Sequence, residues 1–124
     1  MYATRHTVLL TTDATEAATG YTDVPVNGRI LQIVYTKTDF ADGVDFVVTG
    51  ENSGAIIWDE DSVNATAQRA PMQATHLNTT GAAALYAASG TAVLAPVVIA
   101  NERIKVVVAN GGDTKTGTVD IWVG

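Results

Sequence analysis

The sequence predicts an all-β protein: a single antiparallel β-sandwich over residues 1–124, jelly-roll-like or Ig-like, with a short helix or loop near residues 79–90. Three observations predict it. Segments 102–109 (ERIKVVVA) and 117–123 (GTVDIWV) alternate with period 2, so each carries one buried and one outer face. Similar short runs recur along the chain, seven or eight in all, with turn signals roughly every eight to twelve residues, as in sandwiches and barrels. No internal repeat and no linker divides the chain.

Residues 6–12 (HTVLLTT) set Val8 and Leu10 on one side and predict a first strand. In 13–20 (DATEAATG), Asp13 and Glu16 have the spacing of a helix N-cap, but Gly20 follows too soon, so a turn or a short strand start is expected. Residues 28–38 (GRILQIVYTKT) form the longest candidate strand, with Leu31, Ile33 and Tyr35 on one face and Gln32, Val34 and Thr36 on the other. In 44–50 (VDFVVTG), Val44, Phe46 and Val48 point inward. Asp42-Gly43 before it suits a two-residue hairpin turn, because both positions tolerate positive φ. GENSG at 50–54 is another turn, AIIWD at 55–59 a short apolar strand, and DEDS at 59–62 ends that strand in acid.

Pro71 restricts 63–77 to an edge strand. The stretch 78–95 is rich in alanine, which favours helix, but Gly81 and Gly90 bound barely two turns, and an extended loop fits equally well. PVVIA at 96–100 leads into a terminal hairpin in which 102–109 and 117–123 pair across NGGDTKT. Ile33, Phe46, Val106 and Ile121 are expected in the core. Trp122 falls on the face opposite Ile121 and Val123, where a tryptophan needs a second layer or a partner.

A chain of 124 residues buries roughly two thirds of its unfolded surface and sustains one core without staples. It has no cysteine, hence no disulfide framework and no thiolate metal site. The start MYATRHTVLL lacks the pattern of a signal peptide, and no apolar run reaches the ~20 residues of a membrane span. A soluble protein with no membrane contact is expected. The net charge of −6 disfavours direct nucleic-acid binding. Charged residues make up only 16%, against about 25% in ordinary domains. Thr, Ala, Gly and Asn stand in their place, a surface that loses little side-chain entropy when packed against neighbours.

No acid/base or nucleophile constellation stands out, so no enzyme, cofactor or metal is expected. His6 and His76 show no spacing that would bring them to a carboxylate. Asp39, Asp42 and Asp45 (D-x-x-D-G-x-D) lack EF-hand spacing and a closing bidentate Glu, and read as aspartates making turn hydrogen bonds. Asp59, Glu60 and Asp61 read as a solvated strand end. GGDTKTG is not a phosphate loop, because the G-x-x-x-x-G-K-[ST] order is absent; it reads as a hairpin loop. Trp58, Trp122, Tyr2, Tyr21, Tyr35 and Tyr86 are the amphipathic aromatics, suited to glycan stacking or to anchoring an interface. The interface candidates are Trp122, Tyr86, Leu85 and Lys115.

The phrases T-K-T-D-F-A-D-G-V-D-F, T-G-A-A-A-L-Y-A-A-S-G-T, A-N-E-R-I-K and G-G-D-T-K-T-G-T are the matching motifs of a resemblance that covers most of residues 35–124. In them the chain resembles small structural proteins encoded in the head-gene regions of tailed bacteriophages. The resemblance implies a virion component with a compact β fold, made in the host cytoplasm, and offers no catalytic residue. A capsid decoration, cementing or minor head protein is expected, bound to the major capsid protein and to copies of itself. A homo-oligomer, a trimer foremost, suits the three-fold points of an icosahedral shell. A neck or tail component and a glycan-binding sandwich module are the alternatives.

Overall fold

Alternation along the chain becomes two sheets that share one core. The computed structural model describes residues 2–75 and 81–124. Its strands are β1 (Thr4–Thr11), β2 (Ala18–Tyr21), β3 (Val26–Lys37), β4 (Asp45–Gly50), β5 (Ile56–Glu60), β6 (Ala67–Arg69), β7 (Met72–Ala74), β8 (Leu94–Pro96), β9 (Val98–Glu102), β10 (Ile104–Ala109) and β11 (Thr116–Val123). The described residues contain no helix. One sheet runs β1-β11-β3-β6, with β9 also paired to β3; the other runs β2-β10-β4-β5; β7 and β8 form a separate ribbon. Every strand pair is antiparallel. Counted in chain order, the eight strands of the two four-stranded paths read first-eighth-third-sixth and second-seventh-fourth-fifth. That is the jelly-roll arrangement, two Greek keys folded over one another.

The core forms where the inner faces meet. Val8, Leu10, Ile33, Tyr35, Val119 and Ile121 of the first sheet pack with Phe46, Val48, Trp58, Ile104, Val106 and Val108 of the second. Ile33, Phe46, Val106 and Ile121 are all fully buried, as alternation predicts. An aromatic cluster fills one region: the Phe46 ring lies 4.6 Å from Tyr35 and 5.0 Å from Trp58, while Phe40 lies 6.1 Å from Tyr35. Gly117 lies directly against the Phe40 ring, whose atoms occupy the space a Cβ would need.

The expected terminal hairpin does not form. β10 sits between β2 and β4, and β11 between β1 and β3. Their expected inner residues are buried, but the two strands belong to opposite sheets. Residues 110–115 carry the chain from one sheet to the other. Asn110 and Thr114 adopt φ of 57° and 55°. The Thr12 hydroxyl accepts the Lys115 N–H at 2.8 Å and donates to the Gly112 carbonyl at 2.6 Å, which pins the crossing to the end of β1. GGDTKTG is thus an inter-sheet connection rather than a hairpin loop.

Asp42-Gly43 is a second such crossing. β3 and β4 lie in different sheets, so no hairpin turn forms there. Gly43 uses its φ of 90° to turn the chain between sheets, and Phe40 plugs into the core on the way. By contrast, residues 50–54 do join a true hairpin, β4 with β5.

Leu31 is exposed and does not share the inner face of Ile33 and Tyr35. Trp122 pairs with Gln32 and Val123 with Ile30, leaving Leu31 as an extra residue. This bulge flips the side-chain phase, so that Ile30 takes the buried position. Asp13 forms a turn: its Oδ1 accepts the N–H groups of Thr15 and Ala17. β6 is an edge strand, and Pro71 lies outside any strand. Residues 81–90 are turns and bends around an isolated Leu85–Ala92 bridge, so the loop alternative holds there and no helix forms. Residues 79–80 of that expected segment lie outside the described residues.

Candidate interaction surface

The outer edge of β3 is covered in two halves. β9 pairs with Val26–Arg29 and β6 with Ile33–Tyr35. Both lie on the side away from β11: the Ile30 N–H donates to Val97 O at 2.8 Å, whereas the Arg29 N–H turns to Gly124 O at 3.0 Å. Between the halves the chain leaves the sandwich as an arm, described over residues 70–75 and 81–97. β7 and β8 form its stem, extended by hydrogen bonds from Thr75 N–H to Val93 O (2.9 Å) and from Ala84 N–H to Thr75 O (2.8 Å). Its tip is a tight turn in which Tyr86 N–H donates to Thr91 O and Gly90 N–H to Ala87 O.

This arm buries almost nothing of its own. Among its described residues before Val97, none is buried. Met72, Leu85, Tyr86 and Leu94 are all exposed, Tyr86 at 76%. A two-stranded ribbon is marginal in water by itself, and its open edges are templates for further pairing. Charge is absent too: residues 70–101 contain no Asp, Glu, Lys or Arg, so all of the chain's formal charge sits on the body.

At the base of the arm, on the outer face of the first sheet, lies an open groove of 480 Å³. Leu31, Gln32, Gln68, Arg69, Ala70 and Trp122 line it. The register explains the assembly of these side chains. Trp122 stands between Arg5 and Gln32 across the sheet, and the bulge turns Leu31 outward beside it. The one charged liner, Arg69, is neutralised: its Nε and Nη2 donate to Glu60 at 2.7 and 2.8 Å. The Trp58 indole N–H adds a third hydrogen bond to Glu60 at 3.0 Å. Arg69 first, then Trp58, hold the Glu60 carboxyl down to about 2.

The structure brings some sequence candidates together and separates others. Trp122 is half-buried on the outer face, as alternation predicts, and lies at the end of the sheet from which the arm leaves. Leu85 and Tyr86 are on the arm tip. Lys115 is exposed in the crossing at the other end of β11, about 20 Å away by strand rise. Trp58 and Tyr35 are core residues, and Tyr21 lies on the other sheet with the Arg103 guanidinium 4.4 Å above its ring. The aromatic rings therefore form no single stacking plane.

The aspartates are each engaged separately. Asp39 accepts from Thr116 N–H, Asp42 pairs with Lys37 at 2.9 Å, and Asp45 accepts from Ser62 N–H and the Asn110 amide. Glu60 is not the solvated strand end that its acidic run suggests; Asp59 and Asp61 are exposed. His6 is a half-buried residue of β1, and His76 lies outside the described residues. No cluster of three or more His, Cys, Asp or Glu able to hold a metal occurs among the described residues. Leu31 and Gln32 stand out in the sequence only as strand residues, Gln68 and Arg69 not at all; the uncharged run that begins at Ala70 is the one signal beside them.

Compared with protein-family models and with curated protein sequences, the chain has no significant match.

Proposed function

We propose that this protein is a structural component of a tailed-bacteriophage particle, a capsid decoration, cementing or minor head protein that binds the major capsid protein as a homo-oligomer, foremost a trimer. The observation that carries the reading is the uncharged arm, which leaves the jelly roll with Leu85 and Tyr86 exposed among the described residues. Resemblance of residues 35–124 to phage head-region proteins supplies the class of partner. The mechanism is mechanical. A protein that binds only the assembled shell adds about 2.7 kcal/mol per site at a hundredfold excess over Kd, and many copies multiply that against internal DNA pressure. A glycan module would need two or three rings in one plane, and the dispersed aromatics give it less support.

The test is co-sedimentation with empty shells of the major capsid protein encoded beside this chain, followed by thermal release of packaged DNA. High-copy binding and a raised release temperature are expected. Binding at only a few copies per particle moves the protein to the neck or tail. No binding to shells, necks or tails refutes the virion reading.

A further inference from the structure

The outer face of the first sheet sets three unlike side chains in one row across neighbouring strands. Arg5 on β1 stands opposite Trp122 on β11, and Trp122 opposite Gln32 on β3. Cβ atoms so placed lie about 5 Å apart. Gln68 on β6 faces Val34, which sets it diagonal to Gln32 at about 7–8 Å. Trp122, Gln32 and Gln68 line the groove of 480 Å³, and Arg5 flanks Trp122 on the β1 side. We propose that this row binds one acidic sugar unit, a pyranose bearing a carboxylate. Arg5 takes the carboxylate, the Trp122 indole takes the C–H face of the ring, and the two glutamine amides take its hydroxyls. The inference goes beyond the structural role proposed above and does not rest on it.

Each part of the ligand answers to a part of the row. Lys37, Arg69 and Arg103 are each paired with a carboxylate of the chain. Arg5 is exposed and makes no ion pair among the described residues. Its guanidinium has the planar fork that matches a carboxylate. Asp120, the acid on the same face, stands one row along and accepts the Thr7 hydroxyl at 2.5 Å. Trp122 is half-buried, so its indole is held in place and offers the apolar surface that a pyranose covers with its C–H groups. Gln32 and Gln68 decide between a sugar and other acids. Neither side-chain amide hydrogen-bonds to a described residue. A primary amide offers donors and an acceptor together, as vicinal hydroxyls require; an aliphatic or aromatic acid would leave both amides unmatched. Arg69 fixes the wall behind them: Glu60 holds two of its nitrogens, and its Nη1 donates to the Gln68 carbonyl at 2.9 Å. The groove's volume falls within the range of small-ligand sites, about 300–1,000 Å³. One ring holds one sugar unit and not a chain of them, so a dissociation constant in the millimolar range is expected.

The test follows the Trp122 indole and glutamine amide resonances of the isotope-labelled chain by NMR. Methyl glucuronide, methyl glucoside, acetate and N-acetylaspartate amide are each titrated in. Glucuronide should move the Trp122, Gln32 and Gln68 signals saturably. Glucoside should bind about tenfold more weakly for want of the Arg5 contact, and Arg5→Gln should erase that difference. Gln68→Ala, at an exposed position, should weaken glucuronide about fivefold and leave the unfolding temperature unchanged. Trp122→Ala should abolish binding of both sugars. No saturable movement up to about 100 mM glucuronide overturns the proposal. Acetate binding as well as glucuronide would reduce the site to an anion contact, and tighter binding of N-acetylaspartate amide would assign it to an acidic peptide; either result overturns the sugar. Movement of the same signals on dilution of the protein alone would place a second copy in the groove, and that too overturns it.

Discussion

Phe46 is the hinge of the aromatic cluster, and truncating it should show how much that cluster contributes. The ring is fully buried, 4.6 Å from Tyr35 and 5.0 Å from Trp58, nearly parallel to the latter at 13°. Phe46→Ala loses the transfer energy of the ring and leaves a cavity, about 3–5 kcal/mol in total. Each ring pair adds about 0.5–1.5 kcal/mol beyond area burial, which places this site at the upper end. Phe46→Leu keeps much of the volume and loses chiefly the ring pairs, so about 1.5 kcal/mol is expected. Unfolding entropy for a chain of this length is roughly 0.26 kcal/mol/K, so a 4 kcal/mol loss lowers the melting temperature by about 15 °C. Urea unfolding followed by circular dichroism, at one fixed protein concentration because association shifts apparent stability, gives both values. A Phe46→Ala cost below about 1 kcal/mol with an unchanged denaturant slope would refute the view that this ring organises the core.

Three further outcomes are expected. The Tyr35 hydroxyl is a buried polar atom without a hydrogen-bond partner among the described residues, and burial pushes its pKa up to about 12; Tyr35→Phe should therefore be neutral or stabilising by about 1 kcal/mol in the same urea titration, and a loss above that would mean the hydroxyl is satisfied. Gly117→Ala would drive a methyl into the Phe40 ring and should cost about 1–3 kcal/mol, partly recovered by adding Phe40→Leu in a double-mutant cycle. Glu60 is held at about 2, below its ordinary 4.5, so the unfolded chain takes up its proton first; the stability it contributes is complete above about pH 4.5 and is lost as pH falls towards 2. Arg69→Gln should flatten that part of the acid-unfolding curve, and an unaltered acid limb would count against the pairing.

Burial was legible in the sequence; adjacency was not. Alternation says which side chains face the core, and it correctly buries Val106, Val108, Val119 and Ile121. It does not say whether two such strands lie side by side or face each other across the core. Gly and Asx residues serve both tight hairpins and crossings between sheets, so Asp42-Gly43 and GGDTKTG suit either. Leu31 shows a second limit. A bulge is a relation between β3 and β11, set where Trp122 and Val123 skip a residue on the partner, and neither strand announces it alone. The interaction surface was half visible. Trp122 stands out by its position against the alternation, but the groove draws Arg69 and Ala70 from distant sequence. Alanine content leaves a short helix and an extended loop equally open over 78–95, and the described part of that segment takes the loop form with a short ribbon strand.

The position of β11 governs how this molecule comes into being. It occupies the gap between β1 and β3, so Thr4 pairs with Val123 across almost the whole chain. Until β11 has been synthesised, β1 and β3 have no common neighbour, and each presents a row of unsatisfied amides towards the missing strand. No partial chain can close the first sheet, and without it the inner face of the second has nothing to cover it. Order must therefore arrive late and together, through contacts distant in sequence that form slowly. The same wiring resists unravelling from the C-terminal strand, because loosening β11 breaks the middle of a sheet rather than its margin.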